Sequence, residues 1–331
     1  MADVGVEVGH GLVVVGELCV DLIVGLRDDE IRFGQHEQWV EFTELTMGSS
    51  SAITACGAST LGVPTSMVGV VGQDLFGNYV LNELARRGVD TRHMRVDASL
   101  PTGSSTHLSR PDGDRAILTA PGSIGQTTLA DVPSGALAAA AHLHLGSYFL
   151  QRGLWGQAPQ MFRRARAAGV GTSIDGNFDP VQEWDRGILE VIAHADVFFA
   201  NEQELTGITG MSDPDSAVDA LLAQMPPGAM IVHKRGSDGA SCAWRPSGNG
   251  ETARVHARPP DVPGRLVDTV GAGDSLAAGF LHGRLRGLAV EHCLALGVAC
   301  GSASTRAAGG VAGQPTRALA EELADEVAIR S

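Results

Sequence analysis

Basic side chains are scarce in this chain. Its 24 lysines and arginines face 38 aspartates and glutamates, a formal net charge of −14, and no Lys/Arg-rich run offers a local exception. Such a surface repels a phosphate backbone and argues against a nucleic-acid partner. It does not exclude a nucleotide, whose phosphates are held by backbone amides and a metal ion without any basic patch. Cysteine is also sparse: Cys19, Cys56, Cys242, Cys293 and Cys300 are odd in number, widely spread and free of any CxxC pair. That spacing excludes a zinc or dithiol-redox motif and leaves reduced core thiols. Missing too is any uncharged apolar run near the eighteen or so residues of a membrane span. Met1 to His10 is acidic and lacks the basic start and apolar stretch of a signal peptide, so the expected location is the cytoplasm. No internal repeat or low-complexity tract is evident.

What is present is a globular composition, 44% hydrophobic and 19% charged, in which burial offsets chain entropy. A length of 331 residues fits two ordinary domains or one large α/β domain with an appendage. Leu12 to Val15 is a short, mostly β-branched run ending at Gly16 and reads as a buried strand. Ser49 to Leu61 reads as a helix stopped by Gly62 and Pro64, Thr65 to Val71 as a strand, and Leu75 to Arg87 as a helix stopped by Gly88. The alternation resumes with strands at His142 to Leu145, Val170 to Ile174 and Asp196 to Phe199, and helices at Trp155 to Ala168 and Glu183 to Ala193. Ser216 to Gln224 is helical, Met230 to His233 and Ala240 to Trp244 are strands around a glycine turn, and long helices are expected from Gly273, Val290 and Thr316. This order predicts a three-layer α/β/α domain over about residues 11–328, its mainly parallel sheet covered by helices on both faces. Cys19 to Met47 and about Ala98 to Pro121 break the pattern and are predicted to pair as a small β lid over about residues 18–46 and 98–121.

In open parallel sheets, ligands collect where strands end. The most informative such loop is Asp268-Thr-Val-Gly-Ala-Gly-Asp274-Ser-Leu, which leads directly into an apolar helix. Gly271 and Gly273 permit backbone angles closed to other residues, so successive N–H groups can converge on a phosphate at a positive helix end. Asp274 is then either a plain helix cap or a base that accepts the proton of an attacking hydroxyl; the nine residues alone leave both open. The loop is neither a Walker P-loop nor a GxGxxG dinucleotide turn. A nicotinamide-dependent oxidoreductase would need such a turn after the first strand, and Gly16-Glu-Leu-Cys supplies none.

The wording of this loop resembles the carboxy-terminal signature of the ribokinase-like (PfkB) carbohydrate kinases. Three further elements follow family order: Gly48 to Ala55 with Gly69-Val-Val-Gly-Gln-Asp74-Leu-Phe-Gly77, then Asn201-Glu-Gln-Glu204, then Lys234-Arg-Gly-Ser-Asp-Gly239. The resemblance implies an ATP- and Mg²⁺-dependent kinase acting on a small sugar-like substrate. It implies that Gly271, Ala272 and Gly273 form the anion hole and Asp274 activates the acceptor. Lys234, Gly236, Ser237 and Gly239 would contact the nucleotide, with Asn201 and Glu204 orienting Mg²⁺ largely through water. Asn201 and Glu204 also read as a simple capping box. Asp21, Gly48, Ser49, Asp175 and Asn177 would surround the sugar, a carboxylate being able to accept two hydroxyl hydrogen bonds.

Three departures mark the substrate site. Ile53 stands where the family places an asparagine, Ser49 replaces a glycine and is expected to narrow the pocket floor, and Asp179 stands where many relatives have an arginine. An acidic residue there disfavours a phosphorylated substrate, and leaves a simple sugar, a nucleoside or another polyol. The same departures keep open a non-catalytic, sugar- or nucleotide-binding regulatory relative. His142 and His144 share one strand face without a third ligand and read as core; Arg115 fits either an inward or a surface position. A homodimer through exposed lid edges is expected, and monovalent-cation activation would involve the loop near Asp268 and the segment Gly309 to Pro315.

Overall fold

The computed structural model describes residues 11–28, 30–112, 114–246 and 251–330. The acidic stretch Met1 to His10 lies outside them. In chain order the elements are β1 (Leu12–Val15), β2 (Cys19–Leu26), β3 (Val40–Met47), α1 (Ser50–Thr60), β4 (Thr65–Gly72), α2 (Leu75–Arg86), β5 (Asp90–Asp97), β6 (Gly103–Ser109) and β7 (Arg115–Ala120). There follow α3 (Ser134–Ala138), β8 (His142–Leu145), α4 (Ala158–Ala167), β9 (Gly171–Asp175), α5 (Ile188–Ile192), β10 (Val197–Asn201), α6 (Glu202–Thr209) and α7 (Pro214–Leu222). The chain ends with β11 (Met230–Lys234), β12 (Ala240–Trp244), β13 (Ala253–Arg258), α8 (Ala272–Leu285), α9 (Val290–Ser304), α10 (Arg317–Asp325) and β14 (Ala328–Arg330).

Ten strands form one sheet in the order β14-β13-β12-β11-β10-β9-β8-β1-β4-β5. Pairing is parallel from β11 through β5 and antiparallel from β11 to β14. Because side chains alternate across a strand, β1 sends Leu12 and Val14 into a core on one face and Val13 and Val15 into a core on the other. β10 repeats the division with Val197 and Phe199 against Phe198 and Ala200. Each fully buried phenylalanine in these layers contributes on the order of 2–3 kcal/mol. Helices α8 and α9 approach closely through small residues: a side chain on Gly279 or Gly301 would run into the backbone of Leu296 or Ala272.

A second sheet, β3-β2-β6-β7, forms the lid. Its β2–β6 pair is parallel and its outer pairs antiparallel. Asp74 anchors the crossover into it, accepting hydrogen bonds from the Gly77 N–H and from both the N–H and hydroxyl of Thr102. The second half of the amino-terminal signature is therefore a structural joint. β5 (Asp-Thr-Arg-His-Met-Arg-Val-Asp) escaped the sequence reading because it is polar and sits at the sheet edge. The helix expected from Glu183 starts only at Ile188. The Asp179 carboxylate gathers the N–H groups of Val181, Glu183 and Trp184 into an irregular loop that displaces the start.

Candidate active site

Three adjacent parallel strands deliver charge to one point. β9 ends at Asp175, β10 at Asn201 and β11 at Lys234, and Asn201 pairs with Lys234 in register. Lys234 is the only lysine in the chain. Its ammonium lies 2.8 Å from Asp175 Oδ2 and 3.9 Å from Glu204 Oε2, with all three side chains largely buried. The carboxylates hold Lys234 well above its ordinary pKa, against burial, which pulls the other way. Burial is also the main reason Glu204 rises to about 7, a shift that Lys234 opposes.

Asn201 and Glu204 close a reciprocal capping box at the start of α6. Asn201 Oδ1 accepts from the Glu204 N–H at 2.9 Å, while Glu204 accepts from the Asn201 N–H at 3.0 Å and its amide at 2.8 Å. The capping reading of this pair holds. Beside it is a cavity of about 310 Å³, lined by Asn201, Glu202, Gln203, His233, Lys234, Arg235, Gly236 and Asp238. Ser237 does not line it. Gly239 belongs to the turn rather than the cavity: its φ is +87° and a Cβ would lie 2.1 Å from the Ala257 carbonyl oxygen.

Asp274 occupies the first turn of α8, and residues 271–274 all keep partial exposure. Gly271 precedes the helix with φ +73°, and a Cβ there would come within 2.6 Å of Gly310 Cα. Both the left-handed backbone and the close approach require glycine. Shielding from water, helped by the negative charge of Asp175, pushes Asp274 up to about 7 against the pull of Lys234. Asp268 ties the loop down, accepting from the N–H groups of Val270 and Gly309 at 3.0 Å each. Arg115, an exposed residue of lid strand β7, reaches Asp268 at 3.5 Å.

At the base of the lid Asp21 is buried, with His107 Nε2 of the neighbouring strand 3.5 Å from Oδ1. The alternate burial of Gly103, Ser105 and His107 along β6 is the period-two pattern that turns His107 inward. Three of these residues have structural work of their own. Gly48 makes room for Asp21, since a Cβ would sit 2.3 Å from the Asp21 carboxylate. Ser49 does not narrow the pocket. Its backbone has φ +77°, its hydroxyl donates to the Glu17 carbonyl and accepts from the Ala52 N–H, and so it caps α1. Ile53 is buried and packs against Gly271 and Gly310, bracing the glycine loop from beneath.

Asn177 follows Asp175, whose Oδ1 accepts its N–H at 3.1 Å. Its side-chain amide donates to Ser50 and Ser147, so its hydrogens are committed within the protein. Asp179, turned into its own loop, does not face the crevice. His142 and His144 both bond the Ser173 hydroxyl at 2.8 Å, and burial drives them down to about 3 and about 4; they are neutral core residues.

Comparison with known proteins adds an independent line. The chain is 31% identical over 288 residues to 2-dehydro-3-deoxygluconokinase of Bacillus subtilis (strain 168), covering 83% of this chain and 85% of that protein. It is 31% identical over 280 residues to the ATP-dependent ribose-1-phosphate kinase of Halopiger xanaduensis, covering 84% and 87%. Its fold matches the crystal structure of a putative ribokinase II from E. coli in complex with ATP and Mg²⁺ with a TM-score of 0.79 at 22% identity, over 95% of this chain and 99% of that one. The model for pfkB family carbohydrate kinases matches residues 10–317, and with the glycine loop, the capping box and the lid in their places the chain belongs to that family.

Proposed function

We propose that this carbohydrate kinase transfers the γ-phosphoryl group of ATP to a hydroxyl of a small sugar or sugar-like molecule, with Asp274 as general base. The observation that carries this reading is Asp274 itself, partly open to the crevice and raised to about 7. A base works best when its pKa lies near the working pH. The main-chain N–H groups of Gly271, Ala272 and Gly273 stand at the positive end of α8 and form the anion hole for the moving phosphoryl group, the Ala272 N–H giving up its 3.3 Å bond to the Thr269 carbonyl. Lys234 lies against Gly273, where a Cβ would approach its Cδ to 3.2 Å, and adds a fixed positive charge to the same place. The cavity beside Asn201 and Gly236 receives the nucleotide.

Among the described residues no group of three or more His, Cys, Asp or Glu is placed to hold a metal directly. The donor set therefore fits Mg²⁺ carried on the nucleotide phosphates and reached through water by Glu204 and Asn201. Bound there, the ion would neutralise charge on the phosphates. Asp268, fastened to Gly309, supports a monovalent-cation site along residues 309–315; turnover in potassium chloride against choline chloride tests it.

Asp21 and His107 offer an acceptor and a donor to sugar hydroxyls. The argument from Asp179 against phosphorylated substrates does not carry over, because its carboxylate is spent on backbone N–H groups. Ile53 and Asp179 both have structural work here, which favours a catalyst over a regulatory relative. Coupled ADP-release assays with D-fructose, 2-dehydro-3-deoxy-D-gluconate, D-ribose, D-ribose 1-phosphate and adenosine identify the acceptor; release with none of them supports the binding-protein reading instead. Asp274→Asn is expected to lower turnover by roughly 10² to 10⁴ while nucleotide affinity survives. Because the working base is the ionised carboxylate, wild-type kcat should fall as pH drops below about 7. Unchanged turnover in Asp274→Asn removes it from the mechanism.

A further inference from the structure

A polar network crosses the carboxyl ends of the central strands, and it starts at a buried acid that the chemistry above leaves unused. Glu17, just past β1, is 3% exposed. Its Oε1 accepts from the Ser147 hydroxyl at 2.9 Å, and its Oε2 from the Ser51 hydroxyl at 2.5 Å and the Gln151 side-chain amide at 3.2 Å. Ser147, past the end of β8, receives the Asn177 side-chain amide at 2.9 Å. Asn177, past the end of β9, gives its other amide hydrogen to Ser50, the first residue of α1, at 3.1 Å. The main-chain N–H of Asn177 donates to Asp175 Oδ1 at 3.1 Å. Asp175 Oδ2 then accepts from Lys234, the last residue of β11, at 2.8 Å. β1, β8 and β9 are neighbours in the sheet, and β10 alone separates β9 from β11.

Hydrogen-bond valence sets the directions along this path. An amide nitrogen donates twice and accepts nothing, so Ser147 must receive from Asn177 and turn its own proton to Glu17. Ser51, Ser147 and Gln151 all donate to Glu17, which serves them as an acceptor on both oxygens. The backbone is bent to fit: Ser147 has φ +50° and Asn177 φ +56°. Left-handed positions of this kind persist where the surroundings over-determine them. Glu17 does so for Ser147, and Ser147 with Ser50 does so for Asn177.

We infer that Glu17 is a positioning residue for Lys234: through Ser147 it fixes Asn177, and Asn177 turns the Asp175 carboxylate onto the ammonium. Glu204 lies farther from that ammonium, at 3.9 Å, so Asp175 is the main seat. A glutamine in place of Glu17 would set an N–H₂ group against one of these donors and loosen the far end of the path. The value of the seat to turnover rests on the role proposed above for Lys234 in phosphoryl transfer; its existence does not.

Lys234 is the only lysine in the chain, so its seating can be read without activity. The measurement is the rate of reductive methylation by formaldehyde and cyanoborohydride without ATP, followed by mass spectrometry of the peptide that carries Lys234. Wild type should react far more slowly than Nα-acetyl-lysine. Glu17→Gln and Ser147→Ala should each raise the rate roughly tenfold, the scale of one hydrogen bond lost from a charged network. The two together should match Ser147→Ala alone, because Glu17 acts through Ser147. Val15→Ala shortens a buried side chain at the end of the same strand and removes no polar partner; it controls for lost stability and should react as wild type does. A wild-type rate equal to that of the free amino acid overturns the inference. So do an unchanged rate in Glu17→Gln or Ser147→Ala, multiplied effects in the double variant, and an equal rise in Val15→Ala. Wild-type turnover in a variant whose lysine has been released would instead remove Lys234 from the phosphoryl chemistry and leave the seat standing.

Discussion

Replacing Lys234 with methionine tests the centre of the site, because it keeps the length of the side chain and removes its charge. In the native protein the ammonium offsets Asp175 at 2.8 Å and Glu204 at 3.9 Å, and it is the main pull toward ionisation on Asp274. Removing one member of a buried ion pair costs about 3–5 kcal/mol, since the remaining charge stays desolvated. Part of that cost is relieved when a carboxyl takes up a proton. Glu204 already sits near 7, above its ordinary 4.5, so the folded state binds more protons than the unfolded chain between those values. A carboxyl raised in this way loses stability as pH rises through that window. Without Lys234 the folded-state value climbs further, and the window extends to higher pH. The deficit of Lys234→Met relative to wild type, measured by urea unfolding, should therefore be small near pH 5 and reach several kcal/mol by pH 8. A deficit that is equal at the two pH values, or below about 1 kcal/mol at pH 8, would refute the electrostatic account and leave only packing.

Gly271→Ala should lower turnover at least tenfold and cost about 1–3 kcal/mol of stability, because it combines left-handed strain with a clash; wild-type kinetics would show that the glycine turn is not needed. Since Lys234 is the only lysine, pyridoxal phosphate followed by borohydride should modify at most one ε-amine per chain. ATP should slow that reaction, and a rate indifferent to ATP, read by mass spectrometry, would separate Lys234 from the phosphates. We propose further that the lid edges pair two copies, because Trp39, Phe42, Ile117 and Leu118 are exposed there. Light scattering should give twice the chain mass, reduced to one chain mass by Trp39→Glu with Phe42→Glu; a wild-type monomer sinks the idea.

The glycine loop could be read directly from sequence because its chemistry is a backbone property: Gly271 is needed for its angle, and the adjoining helix supplies the field. The strand ends at Asp175, Asn201 and Lys234 were placed by the βαβ alternation, which counts strands well. The directions of side chains were less legible. Ser49 looked like an obstruction because a sequence does not reveal that a hydroxyl turns to cap α1, and nothing in the local pattern shows Asp21 packing onto Gly48. Nothing in the sequence around Asn177 shows its two serine partners, which lie far apart in the chain. Asp179 shows the same limit, since an isolated acid in a loop gives no sign that its own backbone will take it.

The place of β1 between β4 and β8 sets the schedule on which this protein is made. Leu12 to Val15 are synthesised before residues 142–145, so one flank of this strand finds its neighbour only when those later residues have been made. Until then a strip of leucine and valine stands with an unmatched edge, the kind of surface on which nascent chains associate. Fragments that stop before residue 142 should accordingly aggregate, and slow translation or chaperone capture through that interval should improve the yield of native enzyme.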